Sequence, residues 1–342
     1  MRKFQSATKM SFRFLTPLFG VALLGYLVLR TGPRIIWDQM HAVGFGLVLI
    51  IILGGVSHFI KTWAWRRTYT CDIKGFSWSR NFGAYLVSEA TGQLGVAGKM
   101  IGEGMRVSLV GSAVPLANRI SSVSIDTALH LLSSTTVAVT GIIVTLLLAP
   151  VSGKWRFYSV LFASALVALV ILATVAARNR LPLAGNAARA IGRLPRFHKW
   201  LGGKQSVIDS AEQNMLAFYR EAPSAFWEIL SLNFLWQALA VLEIYIILHF
   251  MGARIAVLSA FVLESLTKLI NLVGALNPGN IGTYEGGNML ITKLFGVTGT
   301  AGLTLALCRR ARAVFWAAIG AICLILMKRQ SGTASPDAIE SA

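Results

Sequence analysis

Acidic side chains inside long apolar stretches are the residues of this 342-residue chain with the clearest potential for chemistry. An ionisable group at the centre of a bilayer costs at least about 2.5 kcal/mol, so it needs an ionic partner or water and often serves function. The sequence therefore predicts buried polar sites, with purely structural ion pairs as the alternative interpretation. The acids in question are Glu89, Glu103, Asp126, Glu243, Glu264 and Glu285.

One predicted site surrounds Glu103 and Arg106, which are three residues apart and therefore share one face of a helix. Lys99 lies on the preceding turn, and Arg119 and Asp126 follow after a short connection. Charged groups of both signs could bind an anionic or zwitterionic ligand. We predict Glu103, Arg106, Arg119 and Asp126 as ligand-binding residues.

A second predicted site follows a break in an apolar stretch, at Asn277-Pro278-Gly279-Asn280-Ile281-Gly282. Pro278 cannot continue a helix and the glycines let the chain turn, so a new helix starts with free backbone amides. Free amides beside several arginines are typical of a phosphate site. The alternative is that the arginines anchor the last helix at the membrane interface by snorkelling. The predicted residues are Asn277, Pro278, Gly279, Gly282, Glu285, Arg309, Arg310 and Arg312.

The elements that must position these residues are membrane-spanning helices. The chain is 55% apolar and only 13% charged, too little charge to cover the surface of a soluble protein of this length. A spanning helix needs about 20 apolar residues. The predicted spans are Phe14 to Leu29, Ala42 to Ile60, Thr127 to Gly153, Phe157 to Ala177 and Ile229 to Met251, and a sixth that ends with Ala313 to Met327 and carries Arg309, Arg310 and Arg312 in its first turns.

Two further apolar segments, Phe82 to Gly111 and Ile255 to Gly296, are interrupted by glycines, charges or proline. We predict that each is a re-entrant hairpin of two short helices, although two full crossings would fit equally well. The order span, span, broken hairpin, span then occurs twice with opposite direction. The expected fold is an all-α polytopic membrane protein with an inverted repeat, of about six full spans plus two broken hairpins, or eight or more helices. Inverted repeats with broken helices are a transporter architecture, and duplication without transport is the alternative.

The net charge of +18 comes from Lys and Arg in short loops that flank the apolar runs. Anionic lipid headgroups, and not nucleic acid, are the expected counter-charge. Basic residues near the span ends predict cytoplasmic N- and C-termini. The predicted divisions are a first half over 1–177 with a repeat boundary near 153, a basic linker and amphipathic helix over 178–223, a second half over 224–330, and a disordered tail over 331–342.

Sequence signatures of nucleotide, metal and nucleophile sites are not found in this chain. Its three cysteines have no spacing that indicates a disulfide framework. We therefore predict no cofactor, no metal and no ATP-driven transport, unless a partner supplies the energy.

The runs Gly102-Glu103-x-x-Arg106 and Pro278-Gly279-x-Ile281-Gly282-x-x-Glu285 resemble the two signature stretches of the lysylphosphatidylglycerol synthase transmembrane-domain family. The resemblance covers most of the chain. It implies a flippase-like protein of the bacterial cytoplasmic membrane, which moves aminoacylated phospholipids, polyprenyl-linked sugars or other lipids. The soluble aminoacyl-transferase domain of some relatives has no counterpart in this sequence, so synthesis of lysyl lipid is not expected.

Within that family, the stretch from Val114 to Asp126 and the run Arg309-Arg-Ala-Arg312 are most similar to the hopanoid-associated branch. Many relatives carry an arginine directly after the acid that Asp126 matches, whereas this chain has Thr127, so its ligand can differ. We predict a lipid flippase that is not an enzyme. The alternatives are a membrane transferase with Glu103 or Glu285 as base, and a non-transporting partner of a lipid-synthesis enzyme.

Overall fold

Helices form throughout the apolar regions, and the part of the chain that the structure describes contains no strand. The computed structural model describes residues 26, 29, 33–71, 77–92, 96–111, 114–148, 152–179, 185–186, 205–274, 277 and 280–332. Within these ranges the helices are α1 Pro33–Val43, α2 Phe45–Arg66, α3 Trp78–Gly92, α4 Val96–Leu109, α5 Leu116–Leu148, α6 Gly153–Arg178, α7 Gln205–Glu221, α8 Pro223–Phe250, α9 Val257–Gly274, α10 Thr283–Leu294 and α11 Gly299–Gly332.

Six of the described helices, α2, α5, α6, α8, α9 and α11, are long and apolar enough to cross a membrane. All of them except α9 occupy predicted spans. The predicted first span, Phe14 to Leu29, lies outside the described residues apart from Tyr26 and Leu29, and so do nearly all of 180–204 and all of 333–342. The expected all-α polytopic membrane fold is confirmed.

Each of the two broken segments forms a pair of helices that pack together, α3 with α4 and α9 with α10. Pro278 and Gly279 lie outside the described residues, in the break between α9 and α10. Helix α9 has 18 residues and is long and apolar enough to cross a membrane alone, which the alternative of two full crossings also requires. Its charges, Glu264 and Lys268, are four residues apart and pair at 3.0 Å, so they neutralise each other along one helix face.

Equivalent glycine contacts join the two halves. Helix α11 packs on α3, where a Cβ at Gly320 would lie 2.6 Å from the carbonyl oxygen of Leu86. Helix α5 packs on α9, where a Cβ at Gly141 would lie 2.1 Å from the Cβ of Ser265. Gly141 and Gly320 are 179 residues apart in the sequence, and so are their contact partners Leu86 and Ser265. This repetition of a contact supports the predicted internal repeat.

Two helices begin earlier than hydropathy indicates, α5 at Leu116 and α11 at Gly299. Their first three turns carry charges, among them Asp126 and Arg309, which lie just before the uncharged parts of these helices. Asp126 and Arg309 each form an ion pair with a side chain of another helix. Because these charges are compensated, the helical segments that carry them can lie in the protein interior. Partners distant in sequence therefore decide where these helices begin.

Two helices flank the bundle. Helix α1 was not predicted, and it buries Ile36 and Val43 while Trp37 is 69% exposed. Helix α7 forms in the segment predicted to be amphipathic, and it buries Phe218 against α5 and α8. Burial raises the pKa of the neighbouring Tyr219 to about 12. Both helices are thus attached to the bundle by one apolar face.

Candidate functional site

Two charged clefts lie between the helices, and each is lined by some members of one group of predicted site residues. The first cleft, of about 220 Å³, is lined from α2, α3, α4, α5 and α8. The second cleft, of about 260 Å³, is lined from α2, α8, α9, α10 and α11. The charged residues that line the first are Lys61, Glu89, Lys99, Glu103, Arg106 and Asp126, and those that line the second are Glu243, Glu264, Arg309, Arg310 and Arg312.

Asp126 is the centre of a buried charge network in the first cleft. Its carboxylate accepts hydrogen bonds from Lys61 Nζ at 3.1 Å and from Arg106 Nη2 at 2.7 Å. Lys61 also donates to Asn233 Oδ1 at 2.9 Å, which connects α2 to α8. All four side chains are buried. The network therefore links α2, α4, α5 and α8, and it compensates a carboxylate that burial alone would destabilise.

Aromatic rings hold the Arg106 guanidinium in place. Its Cζ atom lies 4.1 Å from the centroid of a Trp65 ring and 5.4 Å from that of Tyr85, in the arrangement of a cation–π contact. Arg119 has a different position, since its Nη1 donates to the carbonyl oxygen of Val107 at 3.0 Å. Arg119 thus connects α5 to the end of α4 and is not among the residues that line the cleft.

The open side of the first cleft carries Glu103 and Lys99. Lys99 is exposed, and Glu103 is partly buried and accepts a hydrogen bond from Thr127 Oγ1 at 3.2 Å. Thr127 thus contacts the predicted ligand-binding acid. The six charged residues of this cleft are three cations and three acids. Such a balanced set suits a ligand that carries both signs of charge.

Arg309 organises the charges of the second cleft. Its Nε donates to Glu243 Oε2 at 3.1 Å, and its Nη2 donates to Glu264 Oε2 at 2.9 Å. Lys268 also pairs with Glu264, and Arg312 pairs with Glu243 at 2.9 Å between Nε and Oε1. These ion pairs connect α8, α9 and α11. Arg309 is 8% exposed, so its ion pairs hold the guanidinium inside the helix bundle.

Glu285 occupies the predicted anion position at the start of α10. Its Oε2 accepts a hydrogen bond from the backbone N of Gly282 at 2.7 Å, which is one of the two bonds of a capping box, since Gly282 has no side chain to form the other. Gly282 has φ of +79°, a conformation that suits glycine. Arg310 pairs with the same carboxylate and also donates to the carbonyl oxygen of Asn280 at 3.2 Å. The amide and the guanidinium that would bind phosphate are thus satisfied internally in this conformation.

The arginines that line the second cleft are more exposed than the acids that pair with them, one of which, Glu285, lies behind the lining. The side chains of Glu285 and Glu243 are 0% and 2% exposed, whereas those of Arg310 and Arg312 are 29% and 26% exposed. The carboxylates therefore lie beneath the guanidinium groups that pair with them. A ligand in this cleft meets a predominantly cationic surface, which favours an anionic group.

The two clefts are stacked along the helices. On α8, Trp236 lines both clefts, and Ala240 and Glu243, four and seven residues further along, line only the second. On α2, Ser57 lines the second cleft and Lys61 the first, about 6 Å apart along the axis. The clefts therefore lie at different depths along helices that are long enough to cross a membrane.

Several residues of the two clefts were not predicted from the sequence. Lys61 was counted with the cytoplasmic loop charges, but it is the buried partner of Asp126 near the end of α2. Asn233, Lys268 and Trp236 also contribute contacts or lining. A lysine directly after an apolar run signals a loop unless its acidic partner, 65 residues away, is known. Asn277 has a local role, since its amide donates to the carbonyl oxygen of Ile281 at 2.6 Å.

The side chains of the two clefts can bind a ligand by ionic interactions and hydrogen bonds. Within the described residues, no group of His, Cys, Asp and Glu side chains could hold a metal ion. Lysine and arginine pair with the buried acids Asp126, Glu243, Glu264 and Glu285. Such groups can bind a charged headgroup.

Comparison with protein families identifies one match. Residues 13–320, which include both clefts, match the family model described as lysylphosphatidylglycerol synthase TM region. Comparisons with curated proteins and with solved structures found no match. The membrane helices and the charged clefts are consistent with this match. Because the match covers most of the chain, the chain belongs to the lysylphosphatidylglycerol synthase transmembrane-region family of lipid-handling membrane proteins.

Proposed function

We propose that this protein is a flippase that moves a polar or anionic lipid headgroup across the bacterial cytoplasmic membrane by alternating access. The observation that carries the proposal is the stacking of two charged clefts, which α2 lines at Ser57 and Lys61, about one helical turn or 6 Å apart. A lipid headgroup crossing the bilayer needs polar groups at successive depths, while its tails remain in the hydrocarbon. The first cleft serves the cytoplasmic leaflet and the second serves the opposite leaflet.

The second cleft supplies the phosphate-binding step. Arg310 and Arg312 are partly exposed, and each pairs with a carboxylate that is almost fully buried. A lipid phosphate can take over one guanidinium without removing the carboxylate from its other partner. Glu285 keeps its bond to the amide of Gly282 when Arg310 turns to the phosphate. Arg310 then exchanges the carboxylate of Glu285 for the lipid phosphate. Because the two oxyanions are similar, Arg310 binds the phosphate weakly enough for the headgroup to be released.

The first cleft binds the headgroup on the other side of the membrane. Its three cations and three acids suit a headgroup with charges of both signs, with Glu103 and Lys99 on the open side. Rocking of one half against the other then exposes the clefts in turn. The protein makes and breaks no covalent bond in this proposal. Phospholipids, polyprenyl-linked lipids and hopanoid lipids all fit the requirement for a polar head and an apolar tail.

Reconstituted vesicles test this function directly. Phosphatidylglycerol and phosphatidylcholine with labelled headgroups are incorporated, and an impermeant reductant bleaches the label in the outer leaflet. We expect the wild-type protein to make the inner label accessible. Arg310→Gln loses one charge-assisted hydrogen bond to phosphate, which corresponds to a rate reduction of about tenfold or more. Arg67→Gln is the matched control, because Arg67 pairs with Glu228 away from both clefts.

Two results would count against a flippase. Failure to move any headgroup in a panel of anionic, zwitterionic and polyprenyl-phosphate lipids contradicts the proposed transport. A change in the mass of the lipid on incubation with a donor would instead favour the transferase alternative. Equal rates for Arg310→Gln and Arg67→Gln would remove the second cleft from the transport path.

A further inference from the structure

Trp236 lies where the two clefts meet. It is the one residue that lines both of them among the described residues. It is placed on α8 between Asn233, which bonds Lys61 of the first cleft, and Ala240, which lines the second. The indole is therefore the part of α8 that separates the two polar volumes.

Side chains from both halves surround the indole. The ring of His130, on α5, meets it edge-on at 5.1 Å between centroids and an angle of 73°. From α9, Lys268 Nζ lies 5.6 Å from the ring centre, in range of a cation–π contact. One residue further along α8, Gln237 donates to Ser134 Oγ at 2.8 Å and ties α8 to α5 at the same level. Trp236 is thus held at the contact between the halves.

The partition between the clefts is thin. On α2, Ser57 of the second cleft and Lys61 of the first are about one helical turn apart. On α8, Ala240 follows Trp236 by four residues, again about one turn. One large side chain is enough to close a gap of this size. An apolar constriction between two hydrated volumes also excludes water and ions, because water is expelled from it.

We propose that Trp236 is the gate between the two clefts, a claim that rests on the proposed flippase function. In the conformation seen, its indole closes the polar path along α8. When a headgroup occupies either cleft, movement of α5 against α9 displaces the ring from between His130 and Lys268, and the path opens. The ring then returns behind the headgroup and prevents a continuous leak of ions.

Proton leakage tests the gate without requiring lipid transport. Full-length protein is reconstituted into vesicles loaded with a pH-sensitive dye, and the decay of an imposed pH gradient is followed. Headgroup movement is measured in the same preparations with labelled phosphatidylglycerol. The variants are Trp236→Ala and Trp236→Leu, the latter retaining more apolar volume if alanine impairs folding. Trp227→Ala is the matched control on α8, because Trp227 is 64% exposed and lines neither cleft.

We expect vesicles with the wild-type protein or Trp227→Ala to hold the gradient, and those with Trp236→Ala or Trp236→Leu to lose it. Headgroup movement in the Trp236 variants should persist and become less selective among headgroups. If vesicles with correctly folded Trp236 variants hold the pH gradient, Trp236 is not the gate. A leak in these variants without headgroup movement by the wild-type protein supports the gate and refutes the flippase. Headgroup movement by the wild-type protein with no leak in the Trp236 variants supports the flippase and refutes the gate.

Discussion

Asp126 makes the strongest case at the residue scale that buried charge holds this protein together. Replacement by asparagine keeps the shape but leaves Lys61 and Arg106 buried without their carboxylate. Loss of one partner of a buried ionic network costs about 3–5 kcal/mol. We therefore expect Asp126→Asn to lower the free energy of unfolding by that amount, measured by denaturant titration in detergent micelles.

An exposed ion pair supplies the control for Asp126. Glu228 accepts from Arg67 at 2.8 Å, and the two side chains are 34% and 48% exposed. Solvent-exposed pairs contribute about 0–1 kcal/mol. Glu228→Gln should therefore change the unfolding free energy little. Similar losses for the two variants would mean that the Asp126 network is hydrated and contributes far less than its burial implies.

The pairing of these residues was only partly predictable from sequence. Arg106 and Asp126 are 20 residues apart across one short connection, so their proximity could be anticipated. Arg309 and Glu243 are 66 residues apart on different helices, and no local pattern relates them. Hydropathy identifies charges that must be compensated, but helix packing decides which charge compensates which.

At the scale of elements, the α3–α4 hairpin depends on close approach at Gly102. A Cβ there would lie 2.5 Å from the carbonyl oxygen of Ser88 and 2.6 Å from Thr91 Oγ1. At Gly104, two residues later on α4, an added Cβ would meet no neighbour within 4 Å. Overpacking costs about 1–3 kcal/mol, whereas alanine in an open helical position gains about 0.5–1 kcal/mol over glycine.

The two glycines therefore make a matched pair of variants. We expect Gly102→Ala to lower the thermal midpoint of the purified protein and Gly104→Ala to leave it unchanged or raise it. The same substitution in the same helix isolates the effect of the α3 contact. A lower midpoint for both variants would instead show that α4 as a whole needs glycine flexibility.

Elements were predicted well where an apolar run stood alone, and less well where charges interrupted it. The run that became α6 is uncharged from Phe157 onward, and the predicted and observed helices agree closely. The segment Ile255 to Gly296 was predicted as a hairpin, with two full crossings as the alternative, because glycines, Pro278 and charges interrupt it. Helix α9 is long and apolar enough to be a candidate span, and the Glu264–Lys268 pair compensates its two charges.

For the whole molecule, the repeated contacts of Gly141 and Gly320 support two related halves, and the basic residues predict how these lie in the membrane. Ser77, before α3, and Arg254, between α8 and α9, are both exposed. An inverted arrangement places Ser77 on the cytoplasmic side and Arg254 on the opposite side. The two clefts then open toward opposite leaflets, as transport of a headgroup requires.

Cysteine labelling of sealed vesicles measures this arrangement. Ser77→Cys and Arg254→Cys are introduced separately into a background in which Cys71, Cys308 and Cys323 are replaced by alanine. We expect a membrane-impermeant maleimide to label the Ser77→Cys variant only in inverted vesicles and the Arg254→Cys variant only in right-side-out vesicles. Detergent should make both sites reactive, which controls for burial of the thiol. Labelling of both variants from one side would place the two hairpins on the same face, and transport between leaflets would then lose its structural basis.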